Sequence, residues 1–192
     1  MKIIKEINRF FTKIWKVYKL RKDNSKIAVK PLEELNRIPL LFNTSQTPKV
    51  SIIIPFYNEE IYTWNCLLFL HKHLTNGIPF EILLIDDNST ENNDFSLIKG
   101  ISIHRNSENL GFLKNINKGI ELAKGEYIYI LNNDTEVQEN FLKELLYVFE
   151  NFKNVGAVGS KLLNPNKTLQ EAGSLFMKDF DIQQIFRRKK PF

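Results

Sequence analysis

The chain has 192 residues, of which 43% are apolar and 26% charged. That balance suits one globular domain with an appendage, and excludes disordered, collagenous and disulfide-scaffold chains. Its formal net charge of +5 is unevenly spread: residues 1–22 hold eight Lys or Arg against Glu6 alone, so the remainder carries a slight negative excess and is not expected to bind nucleic acid. The single cysteine, Cys66, can form no internal disulfide, which points to a reducing, cytoplasmic setting. No apolar run approaches the roughly eighteen residues that would cross a bilayer, and charges every few residues make the N-terminus unlike a signal peptide.

In residues 1–22, Ile3, Ile7, Phe10, Ile14, Val17 and Tyr18 recur at three- and four-residue steps, with Lys and Arg on the opposite face. This spacing predicts a basic amphipathic helix. Residues 23–48, with Pro31, Pro39 and Pro48, read as a linker, and the domain proper is expected to span 49–192. Within it, Val50–Ile54 predicts a buried strand, 59–74 a helix packed through Trp64, Cys66, Leu67, Phe69 and Leu70, and Phe80–Ile85 a second buried strand. A weak helix over 91–98, a short strand over 101–104 and a helix over 110–124 follow. Tyr127–Leu131 predicts a strand in which both tyrosines pack, 138–152 a helix, and Val155–Gly159 a fifth strand. Strands alternating with helices indicate an α/β fold with a mostly parallel, Rossmann-like sheet covered on both faces.

Three of these strands end in polar clusters: Pro55-Phe56-Tyr57-Asn58-Glu59, Asp86-Asp87-Asn88-Ser89 and Asn132-Asn133-Asp134. Each alone is ordinary turn chemistry. Together, at the carboxyl edge where open α/β sheets bind ligands, they suit a phosphorylated nucleotide. One carboxylate can accept hydrogen bonds from a base or ribose, and another can hold a hard divalent cation that leaves positions for diphosphate oxygens. No glycine-rich phosphate loop is present, so the metal would carry more of the phosphate.

In order and spacing, these segments, with Asn109-Leu110-Gly111-Phe112, Asn117-Lys118-Gly119-Ile120 and Gly125-Glu126-Tyr127, resemble family 2 glycosyltransferases across about residues 50–175. The resemblance implies the A-type nucleotide-diphospho-sugar transferase fold and an inverting transfer, assisted by Mn²⁺ or Mg²⁺, from a nucleotide-diphospho-sugar donor to a glycan or lipid-linked acceptor in cell-surface polysaccharide synthesis. It implies that Pro55, Tyr57 and Glu59 line the donor pocket and that Asp87 contacts base or ribose. Asn109, Gly111, Asn117 and Asn133 would complete the nucleotide-sugar site. Asp134 would be the metal ligand, with Asn132 in place of the family's first Asp, a variant similar to a bacterial rhamnosyltransferase-like branch, as is Gln170-Glu171-Ala172-Gly173.

Inversion requires a base to deprotonate the acceptor hydroxyl. No Glu-Asp pair of the kind the family uses follows Asp134, leaving Glu171, Asp179 and Asp181 as candidates. The chain therefore reads as a donor-binding half whose acceptor half is missing. A catalytically inactive donor-binding remnant is the alternative. A phosphorylatable receiver-like signalling module is a more remote one, because there the acidic pair follows the first strand rather than the second.

The arm's charge and apolar stripe suit peripheral attachment to the inner, anionic face of the cytoplasmic membrane. The full-length chain is expected to co-sediment with phosphatidylserine-containing liposomes, and less so as salt screens the arm. Sedimentation that is weak and independent of salt would remove the membrane role.

Overall fold

The computed structural model describes residues 37–74, 77–165, 167–176 and 182–184. The expected amphipathic helix of residues 1–22, Asp179 and Asp181 lie outside the described residues.

Two apolar runs build the centre. β2 (Val50–Phe56) and β3 (Phe80–Asp86) are buried along all seven residues of each, as strands covered on both faces must be. β5 (Ser102–Arg105) pairs with β3, and β6 (Tyr127–Ile130) pairs with β2. All pairings are parallel, and the order across the sheet is β5-β3-β2-β6. Chain direction across the sheet therefore reverses between β2 and β6, the topological switch point of a doubly wound fold. A receiver-like sheet, whose second strand lies outside its first and whose third lies on the other side, has a different order, and that reading falls.

The two faces are unequal. α1 (Glu60–His73) and α2 (Phe112–Leu122) cover opposite sides, while α3 (Phe141–Asn151) joins α1. The α1 face holds the main core: Ile52, Ile54, Ile82 and Leu84 pack with Trp64, Cys66, Leu67 and Leu70 of α1 and with Leu142 and Leu146 of α3. On this side Tyr129 lies 5.5 Å from Phe141 and Tyr127 5.0 Å from Phe149 between ring centroids, the packing role expected of both tyrosines. The α2 face is thinner, built on Ile53, Leu83 and Ile85. There Gly119 lets the helix approach so closely that an added Cβ would stand 2.5 Å from Cγ2 of Ile53.

Three sequence expectations are corrected. Residues 91–97 form no helix: Asp94 Oδ1 accepts the Ser96 amide at 2.8 Å, the local turn chemistry that makes Asn and Asp poor helix formers. They lead instead to β4 (Ile98–Lys99), which pairs parallel with β1 (Leu40–Leu41). Leu40 and Phe42, from the segment read as linker, are thus buried in the domain core, so a chain beginning at Pro48 would lose two core side chains. Val155–Gly159 forms no strand. The chain pairs only further on, as an antiparallel hairpin of β7 (Leu162–Leu163) and β8 (Leu169–Glu171); β9 (Ser174–Phe176) and β10 (Ile182–Gln184) form another.

At the amino edge of the sheet a polar bolt ties α2 to the core. Glu81 Oε1 accepts the Ser51 hydroxyl and the Lys124 amide (2.7 Å), while Ser51 Oγ accepts the Gly125 amide at 2.8 Å. An added Cβ on Gly125 would meet the Ser51 backbone nitrogen at 2.5 Å, and backbone in a central strand cannot yield. Gly125→Ala is therefore expected to cost about 1–3 kcal/mol, whereas Gly156→Ala, with nothing within 4 Å, should be nearly neutral. Urea denaturation of both variants checks the contrast.

Candidate functional site

Because the four central strands are parallel, the turns that follow them all emerge at one edge. Tyr57–Glu59, Asp87–Ser89, Asn106–Gly111 and Leu131–Asp134 follow β2, β3, β5 and β6 in turn. Pro55 opens the switch point. The Ile53 carbonyl accepts the Leu131 amide at 2.9 Å, so by the two-residue alternation of a strand the Pro55 nitrogen also faces β6. It has no hydrogen to donate, and the register of β2 with β6 stops at Ile130. Pro55 itself is buried in the sheet, so it shapes the crevice from beneath.

Beyond Pro55 the chain turns through two left-handed residues, Asn58 at φ 54° and Glu59 at φ 53°, and the turn after β3 holds a third, Asn88 at φ 61°. Such conformations cost about 1–3 kcal/mol each for residues other than Gly, least for Asn. Hydrogen bonds between the loops hold them. Asn58 Oδ1 accepts the amides of Thr90 (2.8 Å) and Glu91 (3.1 Å), and the Asn58 amide donates to Ser89 Oγ at 2.8 Å. Tyr57 and Glu59 are left exposed at the rim.

The paired carboxylates are both committed within the protein. Asp86 Oδ1 accepts the amide and hydroxyl of Ser89, and its Oδ2 pairs with Arg105 at 2.8 Å. Asp87, 4% exposed, accepts the Leu110 amide (2.8 Å) and the Asn106 side chain (2.9 Å) on Oδ1, and the Gly111 amide (2.8 Å) on Oδ2. Asp87 therefore holds the turn that enters α2, and its charge stands beside the positive end of that helix's dipole. That negative charge makes the end a poorer anion site than a helix N-terminus usually is. Asn109 supports the same turn, its Oδ1 accepting the Gly111 amide at 3.2 Å, while Asn117 is exposed further along α2.

After β6, Asn133 donates to Thr63 Oγ1 at 3.0 Å, and the Asn132 carbonyl accepts the Thr135 hydroxyl at 2.6 Å. Asn132 and Asp134 are exposed, and the Asp134 carboxylate accepts no hydrogen bond among the described residues. No group of three or more His, Cys, Asp or Glu able to hold a metal is found among the described residues. The donor set fits a hard cation that takes one protein carboxylate and fills its other positions with phosphate oxygens and water. Cys66 lies beneath this turn, and its thiol is pushed up to about 12 by burial, with the charge of Asp134 adding to the effect. It stays protonated and is no nucleophile.

Among the described residues, the acidic and histidine side chains beyond Asp134 are placed away from this site or engaged elsewhere. Glu136 accepts from Asn65 Nδ2 at 2.9 Å, Glu150 pairs with Lys49 at the opposite edge of the sheet, and Glu171 belongs to the β7–β8 hairpin. His71 packs edge-on against Phe42, His73 stacks on Phe69, and His104 lies on the edge strand β5. Sequence reasoning missed Arg105, Asn106 and Asn115, which organise the acidic turn. A run of polar residues following β5 was the available signal.

A doubly wound parallel sheet with a polar crevice at its switch point defines a nucleotide-binding class of α/β domain. The chain belongs to glycosyl transferase family 2, whose family model matches residues 51–191. It is 35% identical over 133 residues to the O-antigen biosynthesis protein RfbC of Myxococcus xanthus, covering 66% of this chain and 10% of that one. To the glycosyltransferase GlyG of Streptococcus pneumoniae it is 32% identical over 102 residues, covering 50% of this chain and 33% of the relative. The structure of S. aureus TarS residues 1–349 aligns with a TM-score of 0.48 at 22% identity, covering 65% of this chain and 41% of that one. The chain thus spans a third or less of the curated relatives named here.

The two acidic positions predict unequal stability effects. Asp87→Ala takes a buried acceptor from three donors, of which Gly111 and Asn106 keep a second partner, and is expected to cost about 1–3 kcal/mol. Asp134→Ala removes an exposed, unbonded carboxylate and should change stability by less than about 0.5 kcal/mol. Equal losses in thermal or urea unfolding would contradict these assignments.

Proposed function

We propose that this chain is the donor-binding part of a glycosyltransferase that moves a sugar from a nucleotide-diphospho-sugar donor to a glycan or lipid-linked acceptor in cell-surface polysaccharide synthesis. The observation that carries this reading is the chemistry of the crevice at the switch point. Its uncommitted side chains among the described residues are acidic or neutral, Glu59 and Asp134 at the rim with Tyr57 and Asn132, and the Asp87 carboxylate adds its charge beside the N-terminus of α2. A diphosphate would be repelled from such a site unless a cation lay between. Asp134 would hold Mn²⁺ or Mg²⁺, with the Asn132 side chain as a neutral second ligand. The metal, when bound, supplies Lewis-acid stabilisation of the departing diphosphate.

The protein's own residues would do the rest. The exposed ring of Tyr57 supplies a face for stacking a base. Asp87, held by its three donors, offers its remaining Oδ2 lone pair to an N–H of the base or a ribose hydroxyl. Asn133, fixed by Thr63, and Asn109 bound the crevice on either side. No described side chain stands ready as the base that inversion needs, which supports the second reading, a donor-binding remnant without turnover. Glu171 and, outside the described residues, Asp179 and Asp181 remain the chain's own candidates. Attachment to an anionic membrane surface through residues 1–22 would bring a lipid-linked acceptor near; no helix among the described residues is long and apolar enough to cross a membrane.

Calorimetry tests the proposal. The chain should bind a nucleoside diphosphate in the presence of Mn²⁺ and about tenfold or more weakly with chelator. Asp134→Ala should abolish most of that difference, and Asp87→Asn should weaken binding with or without metal. Metal-independent binding that is unaltered by either change would refute the site. Multiple-turnover transfer to a glycan acceptor would overturn the remnant reading.

A further inference from the structure

Asn115 is the one polar side chain among the buried residues of α2, beside Ile116 and Gly119 on the face that meets the sheet. It is 2% exposed. An amide among Ile53 and Ile85 costs stability unless it is fully bonded, and an apolar residue would serve that packing better.

Its bonds lead to the candidate site. Asn115 Nδ2 donates to the Ile85 carbonyl at 3.1 Å, and its Oδ1 accepts from Asn106 Nδ2 at 2.8 Å. Asn106 gives its other amide hydrogen to Asp87 Oδ1 at 2.9 Å, while its backbone amide donates to the Asp86 carbonyl at 2.9 Å. With two acceptors on one nitrogen, the plane of the Asn106 amide is fixed. Without Asn115 it could turn about its last torsion and release Asp87 Oδ1.

We infer that Asn115 is a positioning residue for the nucleotide site: acting through Asn106, it sets the rotation of the Asp87 carboxylate and so the direction in which its free lone pair points. The inference rests on the nucleotide site proposed above. The relay runs from the second strand's carbonyl through a helix side chain and a loop side chain to the carboxylate, so it couples helix docking to ligand recognition. It also explains why a helix that covers Ile53 and Ile85 carries an amide at that position.

A double-mutant cycle on the full-length chain tests it, read by calorimetry with UDP, GDP, CDP and dTDP in the presence of Mn²⁺, well below every variant's unfolding temperature. Asn115→Ala is the direct change, and Asn106→Ala breaks the same relay without touching the packing of α2 on the sheet. Each single variant should bind the preferred nucleotide about tenfold more weakly, the size of one lost hydrogen bond, and should narrow the preference among the four bases. The double variant should lose no more than either single one. Wild-type affinity in both single variants would overturn the inference while leaving the site intact. So would losses that add, or that fall equally on all four nucleotides. If the wild-type chain binds none of the four, the proposed site itself fails and the relay with it.

Discussion

One buried carboxylate organises the ligand edge of this domain. Asp87 joins two segments that are distant in sequence: the end of β3, and the turn from Asn106 to Gly111 that leads from β5 into α2. Charge-assisted hydrogen bonds of this kind are about twice as strong as neutral ones. In a turn with little apolar packing they substitute for a core. Asp86 does a parallel task, tying Ser89 and Arg105. The acidic pair thus divides its work, Asp86 closing β3 against Arg105 of β5 and Asp87, just past the strand, holding the turn into α2.

This commitment decides the electrostatics of the crevice. In many α/β nucleotide sites a helix N-terminus receives the phosphate. Here the Asp87 carboxylate stands at the entry to α2, bonded to the Leu110 and Gly111 amides, and its charge weakens the pull of that end on a phosphate. What remains uncommitted at the rim, Glu59 and Asp134, would repel a diphosphate. On the function proposed above, such an edge would take a bridging cation, and Asp134 would hold it, because among the described residues no hydrogen bond occupies its oxygens. The left-handed Asn58 and Glu59 beside it are strain of the kind that accumulates at ligand sites.

Much of the architecture was legible in sequence because β-branched runs such as Val50–Ile54 and Phe80–Ile85 admit few alternatives, and because polar clusters marked where each strand stopped. Helix starts were less legible. α3 begins at Phe141 rather than 138, behind a left-handed Asn140 (φ 62°), and α1 follows a left-handed Glu59, neither being a side-chain cap that sequence patterns announce. The helix expected at 91–98 gave way to Asx-turn chemistry, and Leu40 and Phe42 joined the core through a strand pairing too short to show in a pattern. At the site, sequence located the acidic turn but not its internal partners. The amides that hold Asp87 lie 19 to 24 residues away, and a buried Asn115 looks on paper like any polar helix residue.

The central claim is that a nucleoside diphosphate and a divalent cation meet at the switch point between β2 and β6. Paramagnetic NMR tests it most directly. Addition of Mn²⁺ with a nucleoside diphosphate should broaden the amide signals of residues 132–135 first, then those of 57–59, and leave the β7–β8 hairpin and the Glu81–Ser51–Gly125 bolt sharp. Broadening centred elsewhere, or the same weak broadening everywhere with and without nucleotide, would contradict the account.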